Sequence, residues 1–151
     1  MTIKEYPQQQ LAAQPIGYWT RAAADLVIGG LRTALAEEQL TQPHWWTLNH
    51  VAATPGHWTR EALTAKLAPF DDQDTDFQAL YADLTARGWL TEADDHLTLT
   101  EAGEAGRLRA HARNAKVHTA MREGIDDAAY AATINTLRRL VANLGGNGDL
   151  P

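Results

Sequence analysis

Apolar positions between Thr59 and Glu104 follow a helical period, then a strand period, then a helical one again. Leu63 and Leu67 lie four apart behind Thr59, a residue type whose hydroxyl accepts a helix-terminal N–H, so a helix is predicted over 59–67 with Pro69 closing it. Phe77, Leu80, Tyr81 and Leu84 recur at steps of three and four and make one stripe of a second helix, predicted from about Asp74 to Arg87 and ended by Gly88. Trp89, Leu90, Leu97 and Leu99 then flank the polar tip Asp94-Asp95, the pattern of a two-stranded hairpin. Helix, turn, helix and hairpin follow one another in the order of a winged helix-turn-helix.

Longer helical patterns flank this motif. From Ile16 to Gln39, Trp19, Ala23, Val27 and Leu31 share one side of a predicted helix, and Tyr18, Ala22, Leu26 and Leu35 the adjoining side. So wide an apolar arc needs cover on more than one face. Gly29-Gly30 in its middle costs about 1 kcal/mol of helix propensity per glycine, which implies a close backbone neighbour there. A second helix starts at Thr41, with Pro43 in its first turn and Trp45, Leu48 and Ala52 as its core stripe, and Pro55-Gly56 breaks the chain after it. Behind the hairpin, Thr100 caps a helix predicted to about Glu123 with Ala105, Leu108, Ala112 and Ala115 inward, and Gly103 and Gly106 allowing tight packing near its start. The last helix is predicted from about Asp127 to Leu144, where Tyr130, Ile134, Leu137, Val141 and Leu144 form a stripe and Gly145-Gly146 a C-cap. Residues 1–15 have no apolar periodicity and are expected to be a flexible arm, with residues 147–151 a tail and 16–146 one mainly α-helical domain.

Composition narrows the function classes. A chain of 151 residues is one domain's worth. No run has the apolar length of a membrane span, and Met1 to Pro15 is too polar for a secretory signal, so no membrane partner and a cytoplasmic location are expected. Without cysteine there is no disulfide, no thiolate zinc site and no cysteine redox sensor. His44, His50 and His57, or His111 and His118, are not spaced to converge on one ion, and metal binding is left only to histidines meeting from different helices. No Gly-rich phosphate loop, nucleophile elbow or paired carboxylate points to an enzyme or a cofactor. The apolar stripes of the first and last helices exceed what the winged core between them can cover, which argues for a homodimer.

Leu80-Tyr81-Ala82-Asp83-Leu84-Thr85-Ala86-Arg87-Gly88-Trp89-Leu90 followed by Leu97-Thr98-Leu99-Thr100-Glu101-Ala102-Gly103 resembles the MarR family of bacterial regulators. Leu40 to Leu48 is similar to the family's second helix and Arg138 to Gly146 to its closing helix, so the resemblance covers nearly all of the chain after residue 15. It implies a winged helix-turn-helix over about 41–100, dimerisation helices over about 16–39 and 101–146, double-stranded DNA as partner and a small aromatic or acidic effector. The family's groove-facing positions would be Thr75, Asp76, Gln78, Ala79 and Ala82, of which Gln78 is a standard reader of adenine. Thr75 and Gln78, with the flanking cations Arg60, Lys66 and Arg87, are therefore the expected DNA-binding residues. In the family the effector sits in a cleft between the first two helices, the helix after the wing and the winged motif. Arg109 and Arg113 would suit its carboxylate there, with Tyr18, Trp19 or Trp46 stacking on its ring.

Charge cuts against simple DNA binding. The formal net charge is -6, and the segment from His57 to Thr100 carries all of it, with three basic residues against nine acidic ones. One or two of those acids are expected as helix caps, leaving a concentration that phosphate would repel. The turn after Leu67 is longer than the family's and rich in aspartate, and the wing tip Ala93-Asp94-Asp95-His96 is short and acidic. The alternative to a regulator is a degenerate winged helix that binds a small molecule or a protein and no longer grips DNA well.

Overall fold

The computed structural model describes residues 3–151. It is mainly helical with one antiparallel hairpin: α1 Gln8–Ala12, α2 Ile16–Ala36, α3 Gln42–Ala53, α4 Arg60–Leu67, α5 Phe77–Ala86, β1 Leu90–Ala93, β2 His96–Leu99, α6 Glu101–Met121 and α7 Asp127–Asn143. Two compact units are present, one ending at Asn114 and the other comprising Ala115–Pro151. The short α1 lies inside the stretch that the apolar pattern leaves without structure.

Helix starts follow local capping chemistry. Thr59 accepts the Ala62 N–H at 3.1 Å, and Asp126 accepts the Ala129 N–H at 2.7 Å. Such caps are worth about 1 kcal/mol each. Asp76, rather than a residue near Asp74, caps α5 by accepting the Ala79 N–H at 3.0 Å. Asp74 has a left-handed backbone, φ 53°, which no helix continues, so α5 begins three residues later than the pattern predicts. The loop before it is built on Asp71, whose carboxylate accepts the Thr75 N–H at 2.7 Å and its hydroxyl at 2.9 Å. In the hairpin, Leu90 pairs with Leu99 and Ala93 with His96. Asp94 and Asp95 both take positive φ, 50° and 63°, as a two-residue turn of the I′ kind requires.

The first unit's core gathers Leu35 and Leu40 with Leu48 and Val51 of α3, Leu63 and Leu67 of α4, the α5 stripe, Leu90 and Leu97 of the hairpin, and Ala110 of α6. Two predicted stripes need correction. The buried face of α3 is Pro43, Thr47, Leu48 and Val51, while Trp45 and Ala52 are only half-buried. The buried face of α6 is Gly103, Gly106, Ala110 and Asn114, and Ala105, Leu108, Ala112 and Ala115 are exposed. Trp89 explains the second correction. A Cβ on Gly103 would stand 2.1 Å from the Trp89 carbonyl oxygen, and one on Gly106 would stand 2.4 Å from its indole, so only a side of α6 without side chains fits. At Gly29, by contrast, a Cβ would meet nothing within 4 Å, so the close neighbour expected there does not come from this chain.

In the second unit, Arg122 lies 4.2 Å over the Tyr130 ring and bonds Asp127 at 2.5 Å, fixing the corner before α7. Gly145 at φ 86° and the Gly146 N–H donating to the Val141 carbonyl at 2.9 Å finish the helix as predicted. No residue of α7 is buried, and Ile134, Val141 and Leu144 are exposed.

Candidate nucleic-acid interface

Because Phe77, Leu80, Tyr81 and Leu84 point into the core, α5 turns Gln78, Ala79 and Ala82 outward, and all three are exposed. This outer face bears no charge. Behind it Tyr81, fully buried, shares a 3.0 Å hydrogen bond with the Thr64 hydroxyl of α4, and burial raises its phenol's pKa. Helix α5 is therefore anchored to its neighbour by a polar bond as well as by packing.

The sequence-derived DNA residues occupy this surface in different ways. Gln78 and Lys66 are exposed, and neither has an ion pair or side-chain hydrogen bond among the described residues. Thr75 lies in the loop before α5 and is held by Asp71. Arg60 pairs with Glu92 of the wing at 2.9 Å and lies 5.9 Å from the Tyr81 ring. Arg87 bonds Asp83 at 2.7 Å, the Gln39 carbonyl at 2.9 Å and faces the Trp89 ring at 5.7 Å. Two of the three cations of the winged segment are thus engaged within the fold.

Most of the nine acids also have internal tasks, more than the one or two caps expected. Asp71 organises the loop and is held below the usual carboxylate range by the Thr75 N–H. Asp72 bonds Arg32 of α2 at 2.6 Å, Asp76 caps α5, Glu92 holds Arg60, and Asp94 and Asp95 form the hairpin turn. Burial opposes ionisation of Asp83, but Arg87 and His44 outweigh it and keep the carboxyl below its ordinary range. Asp71, Asp72, Asp74 and Asp76 nonetheless line an open depression of about 680 Å³ in front of α5, so the approach to its N-terminus is acidic. Aspartate is used here because it caps, accepts and tolerates positive φ.

His44 is the functional-looking residue that periodicity missed. Its Nε2 lies 3.1 Å from Asp83 Oδ2, its Nδ1 faces the Thr41 N–H at 3.2 Å, and burial lowers its pKa. The available signal was its place three residues after the N-cap Thr41, a capping-box slot.

The residues expected at an effector do not meet. Arg109 bonds Glu38 at 3.0 Å, and Arg113 bonds Glu38 at 2.7 Å and Glu37 as well, so these guanidiniums clamp the end of α2 and hold Glu38 below its ordinary range. Tyr18 and Trp19 form an exposed edge-to-face pair 5.1 Å apart, and Trp46 packs against the core. Trp19 lines a groove of about 920 Å³ with Ile3, Tyr6, Leu11 and Ile16, but Tyr18, Trp46, Arg109 and Arg113 do not. Pairings such as Arg113 with Glu37 join residues far apart in the chain, and nothing local announces them.

Solved structures share this arrangement. PcaV, a transcriptional regulator from Streptomyces coelicolor, matches at a TM-score of 0.70 and 20% identity, covering 87% of this chain and 98% of its own. A MarR family protein from Mycobacterium tuberculosis, in complex with DNA, matches at 0.66 and 20%, covering 88% and 99%. CouR from Rhodococcus jostii RHA1, bound to p-coumaroyl-CoA, matches at 0.64 and 21%, covering 85% and 92%. The chain has the MarR-type winged-helix fold. No family model and no curated relative matches the sequence. In MarR terms α4 and α5 are the helix-turn-helix, β1 and β2 the wing, and α2, α6 and α7 the long helices that precede and follow them in the chain.

Proposed function

We propose that the protein is a homodimeric transcriptional regulator that binds double-stranded DNA through α5 and answers to a small aromatic or acidic effector in the cytoplasm. The observation that carries this reading is the outer face of α5: exposed, uncharged, headed by Gln78 and fixed from behind by the core. A face of that kind fits a major groove, where Gln78 can bond adenine at two points. The DNA complex and the p-coumaroyl-CoA complex among similarly folded proteins support both halves of the reading. Dimerisation is supported by α7, none of whose residues is buried, and by the exposed Tyr18, Trp19 and Leu26 of α2. Gln78 and Lys66 are free to contact DNA, while Arg60, Arg87 and Thr75 must first leave internal partners. Arg109, Arg113, Tyr18, Trp19 and Trp46 remain the effector candidates.

The engagement of Arg60 and Arg87 favours a second reading, a winged module that binds a small molecule or protein and holds DNA weakly. Titrating random duplex and the protein's own upstream region at several salt concentrations separates the two. A regulator gives specific binding that loses about 1–3 kcal/mol at one base position in Gln78→Ala. Absence of binding to every duplex at low salt would overturn the regulator.

A further inference from the structure

His44 sits in the first turn of α3 with its ring nitrogens facing opposite ways. A backbone N–H can only donate, so Nδ1, 3.2 Å from the Thr41 N–H, must accept, and the ring proton lies on Nε2, which donates to Asp83 Oδ2 at 3.1 Å. The same Oδ2 forms an ion pair with Arg87 Nη2 at 2.7 Å, and that nitrogen donates to the Gln39 carbonyl at 2.9 Å. One carboxylate oxygen on the recognition helix therefore serves two donors, one from α3 and one from the end of α5. Charged groups on the neighbouring elements are paired elsewhere: Glu37 and Glu38 with Arg113 and Arg109, Arg32 with Asp72, and Arg60 with Glu92. Asp83 and Arg87 are the charges that bear on the ring.

A second proton would land on Nδ1. It would set an N–H against the Thr41 N–H, leaving only the Thr41 hydroxyl, 2.8 Å away, as a possible acceptor. The ring would also become a cation competing with Arg87 for Oδ2. His44 is confined, its side chain 13% exposed on a helix, whereas Arg87 stands on a long stem at the helix end and is 24% exposed. Arg87 is the partner that can leave. We propose that His44 is a proton-operated latch: protonation turns its existing bond to Asp83 into an ion pair that displaces Arg87 from the shared oxygen, leaving Arg87 on the Gln39 carbonyl alone at the end of the recognition helix, from which it can turn to a phosphate. Only that final step rests on the DNA-binding reading.

The latch is tested on the intact protein by NMR from about pH 7.5 downward until the His44 ring is protonated, below the ordinary histidine range because burial lowers its pKa. At the upper limit the His44 ring should show the proton on Nε2. Across its titration the Thr41 amide should shift, and the protection of the Arg87 side-chain N–H groups relative to free arginine at the same pH should fall several-fold. His44→Gln can still accept the Thr41 N–H, as in a capping box, but cannot titrate, so the protection of the Arg87 N–H groups relative to free arginine should become independent of pH. Asp83→Asn removes the shared carboxylate and should leave the Arg87 N–H groups weakly protected at every pH. His44 titrating without any response at Thr41 or Arg87 overturns the latch, as does an unchanged pH response in His44→Gln. Duplex binding at low salt in the same buffers reads the last step. Tighter binding at the lower pH in the wild type but not in His44→Gln supports it, whereas responsive NMR signals without DNA binding at any pH leave the latch standing and remove the regulator.

Discussion

The winged motif and the terminal helices solve the problem of burial in opposite ways. Between Thr59 and Leu99 each element sends a stripe into a shared core, and Leu63, Tyr81, Leu84 and Leu97 are fully buried there. In α7 no residue is buried, and in α2 only Ala34 and Leu35 are, although both helices carry apolar stripes as long as any in the chain. The contrast is between packing within one chain for the motif and apolar surface left exposed on the flanking helices, which the proposed dimer would cover.

The largest expected effect lies in the core. Leu84→Ala removes a fully buried side chain and should cost about 2–5 kcal/mol by chemical denaturation, equally at every protein concentration. Ile134→Ala in α7, where the side chain is 37% exposed, should cost little in a dilute monomer but lower the melting temperature at concentrations that support the dimer. Two variants with the same dependence on concentration would erase the distinction.

How far the sequence showed this division depends on what each element reads. The α5 stripe, the hairpin and the glycine stop at Gly88 were legible, because periodicity of large apolar residues and turn chemistry are local signals. The inward face of α6 was not. Apolar pattern selects Leu108, but Trp89 already fills that space, and the helix answers with Gly103, Gly106 and Ala110, whose value is their small size. The clustered aspartates misled for a related reason: composition counts charges, whereas Asp71, Asp72, Asp76 and Asp83 each have a specific donor in the fold. The effector candidates Arg109 and Arg113 looked free because Glu37 and Glu38 lie more than seventy positions upstream.

Acid should act first on the unit that holds the motif. Burial lowers the pKa of His44 from its ordinary 6.5, so the unfolded chain takes up that proton more readily than the folded one. The resulting stability is complete above pH 6.5 and is lost as pH falls from there through the depressed folded value. Asp83, Asp71 and Glu38 also have lowered values, and their contributions are present above the ordinary carboxylate values of 3.8 and 4.5 and lost as pH falls through the lower folded ones. Thermal melts should therefore decline in two phases, and His44→Gln should flatten only the upper one. A single carboxylate phase in the wild type would remove His44 as a contributor.

Matching caps give a closer test of the two regions. Asp76 heads α5 and Asp126 heads α7, each accepting an N–H three residues on. Replacing either by alanine should cost about 1 kcal/mol at its own helix. For Asp76→Ala the loss should appear as global stability, because α5 is part of the core. For Asp126→Ala it should appear as faster hydrogen exchange in the first turn of α7, with the global transition unchanged at low concentration.

The smallest difference concerns ion pairs. Arg60 and Glu92 join α4 to the wing with side chains 30% and 28% exposed, whereas Arg122 and Asp127 join α6 to α7 with side chains 36% and 98% exposed. Exposed pairs contribute about 0–1 kcal/mol because water and salt screen them and two long side chains lose freedom. Partial burial, and the Arg60 Nε–H shared between both Glu92 oxygens with Nη2 close by, reduce both losses. A double-mutant cycle should therefore find the Arg60–Glu92 coupling larger than that of Arg122–Asp127, and the latter should vanish first as salt is raised. An equal coupling in both cycles would mean that the Tyr130 ring beneath Arg122 orders that guanidinium as firmly as the winged core orders Arg60, and the division between the regions would then hold for apolar burial but not for charge.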